Sequence, residues 1–105
     1  MRDRYFAPDA RLGIDLPRLD RNWDDYDAAE QMGIVEQWEL IRGRIPDVIF
    51  GLERRIVLLQ RELDDEEDFV RSCRLNSDIA ELASRINDLH IWYRVNQEIE
   101  ARRHS

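Results

Sequence analysis

The residues able to carry covalent or metal chemistry are few in this chain. Cys73 is the only cysteine, and His90 and His104 are the only histidines. A nucleophile and its base must stand within hydrogen-bond reach. If Cys73 and His90 share one helix, the rise of 1.5 Å per residue sets them about 25 Å apart. Neither histidine has another three or four residues away. The residue three before His90 is Asn87, so the Glu-x-x-His pattern of di-iron bundles is absent. His90 therefore reads as a surface or hydrogen-bonded histidine, and Cys73 as a small apolar residue near a turn. All sixteen basic residues are arginine. The absence of lysine removes the phosphate-loop lysine, the Schiff-base lysine and the lysine general base.

Carboxylates are the one abundant chemical group, 23 in all. Glu36-x-x-Glu39 and Glu62-x-x-Asp65 resemble the paired acidic motifs of all-helical nucleoside triphosphate pyrophosphatases, which hold magnesium between helices. The resemblance spans four residues, and it implies a metal-dependent hydrolase with helical carboxylate ligands. Acid-rich helices produce such spacings by chance, and residue 36 lies far from the turn that a helical hairpin would need. A solvated acidic face is the preferred reading, with no catalytic residue, metal ligand or cofactor assigned.

The arginines include the close pairs Arg42/Arg44, Arg54/Arg55 and Arg71/Arg74, a candidate strip for nucleic acid or an acidic partner. The net charge of -7 opposes phosphate backbones and anionic lipid, so ion pairing along and between helices is the simpler role. A nucleic-acid-associated regulator remains the third functional class.

These side chains must be positioned by helices. Residues 1–20 carry Pro8, Gly13 and Pro17, and their leucines and isoleucines are scattered among charges; they are expected to form an extended arm. Residues 21–105 are expected to form a helical hairpin domain. After Gly51 there are 54 residues without glycine or proline, a composition that dictates helix. Two apolar stripes step by three and four: Ile49, Leu52, Ile56, Leu59, Leu63, and then Leu75, Ile79, Leu82, Ile86, Leu89, Tyr93. Continuing the first by sevens misses the second by two residues, so the phase is reset between them. The run Asp64-Asp65-Glu66-Glu67-Asp68 is the expected turn, because carboxylates favour a helix N-terminus and Asp64 with Glu67 has capping-box spacing. One helix should end near Leu63 and the next begin near Asp65. Asn76-Ser77-Asp78 is the rival break.

Antiparallel pairing at a constant index sum of 131 sets Ile56 against Leu75, Leu52 against Ile79, Ile49 against Leu82, Ile45 against Ile86 and Trp38 against Tyr93. Arg42 opposite Leu89 is the imperfect layer. Backwards from there, residues 22–63 form one helix kinked at Pro46, or two helices split at Gly43 and Pro46. The stripe Ile34, Trp38, Ile41, Ile45, Val48, Leu52 stays in phase, and equal arm lengths favour the kink.

A two-helix hairpin needs one apolar stripe per helix, and this chain has more. Trp38, Leu40, Phe50, Val57, Leu58, Ile91, Trp92, Val95 and Ile99 are the candidate interface residues. The arm with Trp23 and Tyr26, a third helix, or a second copy of the chain is expected to cover them. The expectation is an all-α fold assembling as a four-helix-bundle homodimer. Its function is non-enzymatic self-association or protein binding. No segment is apolar enough to cross a bilayer, the first residues lack a signal-peptide core, and a single cysteine suits a reducing compartment. The expected address is cytoplasmic.

Overall fold

The computed structural model describes residues 5–95. It is mostly helical, with a small antiparallel sheet at the N-terminal side: β1 (Phe6–Asp9), β2 (Ile14–Pro17), a 3-10 turn (Trp23–Asp25), α1 (Ala28–Arg42), α2 (Ile45–Asp65) and α3 (Phe69–Tyr93). The all-helical expectation is thereby corrected. The arm is extended, but it folds back on itself as a ribbon with Phe6 opposite Pro17 and Asp9 opposite Ile14. Its turn is chemically specified. Leu12 N–H donates to the Asp9 carboxylate at 2.9 Å, and Gly13 N–H donates to the Asp9 carbonyl at 2.8 Å. Gly13 adopts φ +72°, a left-handed conformation that strains residues bearing a Cβ.

The long helix starts later than residue 22. Residues 20–27 are occupied by the 3-10 turn and its flanks, held by the Tyr26 hydroxyl, which donates to Asp20 Oδ1 at 3.0 Å and accepts from Asp20 N–H at 3.2 Å. Asp27 then caps α1 in a capping box. Its carboxylate accepts from Glu30 N–H, and Glu30 accepts from Asp27 N–H.

Between α1 and α2 the chain kinks without ending the helix. Gly43 and Arg44 both keep right-handed helical backbone angles. Gly43 N–H donates to Glu39 O, Arg44 N–H to Ile41 O and Val48 N–H to Arg44 O, all at 3.0–3.2 Å. Pro46 has no N–H to donate, and its ring crowds the carbonyl four residues back. The result is the kinked arm, with Ile34, Trp38, Ile41, Ile45 and Ile49 buried along one unbroken stripe.

The chain reverses inside the acidic run, two to four residues later than the sequence suggests. Asp64 and Asp65 close α2, and Asp68 is the cap of α3, accepting from Arg71 N–H at 2.9 Å. Two carboxylates thus sit at a helix C-terminus, against its dipole. The Arg71 guanidinium lies 2.7 Å from Glu66 and 3.9 Å from Glu62 and offsets part of that charge. Beyond the turn α2 and α3 pack antiparallel, and Leu75, Leu82 and Leu89 of the second stripe are buried.

The main core sits at the open end of the hairpin. It joins Phe6, Leu12 and Ile14 of the ribbon with Tyr26, the α1 stripe, Ile45, Ile49 and Leu89. Leu75 and Leu82 lie outside it. The molecule is accordingly long, 59 × 31 × 20 Å with a radius of gyration of 18.1 Å, against about 13 Å for a compact chain of this length. It consists of a three-layered head and a two-helix shaft.

The position of the cap gives a direct test. Asp68→Ala should lower unfolding free energy by about 1 kcal/mol, whereas Asp64→Asn should leave it unchanged or raise it slightly, because the carboxylate it removes opposes the α2 dipole. Paired denaturant titrations check the difference.

Candidate interaction surface

The expected interface residues divide into two groups. Trp38, at 4% exposure, is a core residue. Its ring stacks on Phe6 with centroids 6.5 Å apart and meets Trp92 edge-on at 5.7 Å. Trp92 and Val95 are half-buried against the same core. The ribbon therefore covers the open end, and of the three expected covers the N-terminal arm is the one that lies there. Leu40, Phe50, Val57, Leu58 and Ile91 remain exposed, and Met32, Phe69 and Val70 with them. Ile99 lies outside the described residues.

On α2 the exposed residues share a face. Phe50, Val57 and Leu58 stand at i, i+7 and i+8, roughly opposite the stripe that meets α3. Phe50 is 60% exposed and Leu58 58%; the Arg54 guanidinium lies 5.9 Å from the Phe50 ring centroid. On α3, Cys73 is exposed and unpaired, and Ile91 lies five helical turns further along the same outward line. Phe69 and Val70 flank the turn. They follow the acidic run and fall off the Leu75–Leu89 stripe, so the same periodicity that identified Phe50 could have marked them.

Charge on the shaft is segregated. Among the described residues, Arg54, Arg55 and Arg61 of α2 form no ion pair, and neither do Asp64, Asp65 and Glu67 at the tip. The head, by contrast, is clamped by ions. Arg11, at the ribbon turn, reaches across to α3 and contacts Glu81 at 3.2 Å, Asp88 at 2.6 Å and Ser84 Oγ at 2.8 Å. Arg42, the residue that spoiled the index-sum pairing, has a different task. It donates to the Tyr93 carbonyl at 3.2 Å, lies 4.8 Å from the Tyr93 ring centroid and pairs with Glu39 at 3.0 Å. A cation there satisfies the negative end of α3. Tyr93 is thus the level of Arg42, and Trp92 is the partner of Trp38.

No catalytic constellation emerges among the described residues. Glu36 and Glu39 lie on α1, whereas Glu62 and Asp65 lie near the tip of α2, about 40 Å further along the helical path at 1.5 Å per residue. No group of three or more His, Cys, Asp or Glu side chains converges at metal-binding spacing among the described residues. Among the same residues no helix is long and apolar enough to cross a membrane. A cleft of about 470 Å³ between the ribbon turn and the α1–α2 junction is edged by Asp9, Asp15 and Arg44, with no nucleophile–base pair in its walls. No protein-family model, curated protein or solved structure matches this chain.

The Arg11 clamp has a pH signature. Hydrogen bonds from Arg85 and then Arg11 hold the Glu81 carboxyl below its ordinary value of 4.5. The Tyr5 hydroxyl and the Asp27 N–H do the same for Glu30. Carboxyls lowered by folding contribute stability that is full above about 4.5 and is lost as pH falls through their lowered values. Arg11→Gln should therefore reduce Tm at pH 7, and the gap from wild type should close as melts are repeated below pH 4.5. A gap independent of pH would assign the effect to packing of the arginine stem.

Proposed function

We propose that this chain is a non-enzymatic helical module that self-associates through its shaft, forming an antiparallel homodimer of the four-helix-bundle type. The observation that supports it is the exposed apolar face of Phe50, Val57 and Leu58 on a two-helix shaft that has no third layer. Apolar surface of this kind gains by burial at about 25 cal/mol per Å², and a second shaft supplies the missing layer.

The charge pattern is self-complementary for that arrangement. With α2 laid antiparallel to α2 of a second copy about an axis near residue 60, Arg54 and Arg55 come level with Asp65 and Asp64 of the copy. Val57 and Leu58 then lie near the axis, and Phe50 approaches the Phe69–Val70 end. A two-fold interface requires this reciprocity. A reducing cytosol suits a chain whose thiol is exposed, and a cytoplasmic role is proposed with it.

Sedimentation or light scattering should give a mass twice 12.6 kDa. Phe50→Glu and Leu58→Glu should each weaken association about 30-fold or more, as truncation of an interface hot spot worth roughly 2 kcal/mol does. High salt should weaken it further by screening the arginine–aspartate pairs. A wild-type chain that stays monomeric at high micromolar concentration rules the proposal out.

A further inference from the structure

Between the ribbon turn and the α1–α2 junction the head carries a half-open cleft of about 470 Å³. Ile14 and Ile41, both buried, give it an apolar floor, and Pro8 and Ala10 continue that surface to the rim. Asp9 and Asp15 border it from the ribbon, and Arg44 borders it from the start of α2. A volume of that order is ordinary for a small-molecule site.

The charged residues of this cleft are not equally engaged. The Asp9 carboxylate accepts Leu12 N–H at 2.9 Å and serves the ribbon turn. Other arginines of the head find carboxylates: Arg11 pairs with Asp88, Arg21 with Glu30 and Arg42 with Glu39. Among the described residues, Arg44 and half-buried Asp15 form no ion pair, with each other or with a third group. The cleft thus holds one unneutralised charge of each sign around a carbon floor.

We infer that this cleft binds a small zwitterion, an α-amino acid with an apolar side chain. Arg44 receives the ligand carboxylate, Asp15 receives its ammonium, and the side chain lies on Ile14, Ile41 and Pro8. A plain anion is opposed by the net charge of -7 and leaves Asp15 unpaired. A plain cation leaves Arg44 unpaired, and an uncharged apolar molecule satisfies neither. A guanidinium suits a carboxylate, whose two oxygens it can bond side by side. Both charged groups reach solvent, so each ion pair is weak and the Kd is on the order of a millimolar. The site is separate from the apolar face of the shaft and does not require a second copy.

The test compares three compounds of one carbon skeleton on the full-length protein. They are L-leucine, isocaproate, which lacks the ammonium, and isoamylamine, which lacks the carboxylate. In nitrogen–proton correlation spectra leucine should shift the amides of Gly13, Ile14 and Ile41 and the Arg44 Nε–H, leaving the shaft amides in place. Isocaproate and isoamylamine should each bind about 3-fold more weakly, as loss of one exposed ion pair implies. Arg44→Gln should weaken leucine and isocaproate by that factor and leave isoamylamine unchanged. Asp15→Asn should weaken leucine and isoamylamine and leave isocaproate unchanged. Absence of leucine-dependent shifts at the cleft overturns the proposal, as does binding of either comparator as tight as leucine. Substitutions that act alike on all the compounds, or on none, overturn it too. Should either variant fail to fold, the ranking of the compounds on the wild-type protein decides it.

Discussion

Trp38 holds the head together. Its ring contacts Phe6 of the ribbon and Trp92 of α3, so it joins the three layers. Seven of the nine aromatic residues belong to this region, including Tyr5, Trp23, Tyr26 and Tyr93. A pair of helices cannot bury side chains of that size, since each helix offers its partner a single stripe. The ribbon supplies the third surface, and Arg11 ties its turn to α3 through three contacts. Where the ribbon stops, the core stops. The shaft beyond it rests on Leu75, Leu82 and half-buried rungs of α2.

That division explains what the sequence could and could not convey. Helix phase is written in side-chain spacing, so the stripes from Ile34 to Leu63 and from Leu75 to Tyr93 were readable, as was the reversal at the acidic run. Its offset was not. Asp64 and Asp68 have equal claims as caps by composition, and tertiary packing of α2 against α3 selected Asp68. The ribbon was hidden because strands of four residues are too short for a period-two pattern to stand out. Pro8 and Pro17 also read as breakers, although a two-stranded ribbon has outer edges where a missing N–H does no harm. Arg42 looked like a mismatch because index-sum pairing assumes straight helices, and the kink at Pro46 changes its level on α3. The capping box at Asp27 and Glu30 was present in the sequence at the same spacing tested elsewhere, and it marks the true start of α1.

The candidate surface was partly legible for the same reason. Off-stripe apolar residues identify surplus hydrophobicity but not its fate. Trp38 and Trp92 were taken up by the head, while Phe50, Val57 and Leu58 were left on the shaft. An exposed apolar face on the shaft and a half-open, carbon-lined cleft in the head result.

Stability is concentrated in the three-layered head, with the shaft a thinner extension of it. Site-resolved amide hydrogen exchange at concentrations low enough to keep the chain monomeric tests this most directly. The slowest amides should lie in α1 from Ile34 onward, in the first turns of α2 and around Leu89, with protection declining toward Asp65 and Phe69. Slowest exchange in the residues nearest the acidic turn, with the ribbon and α1 exchanging freely, would contradict it.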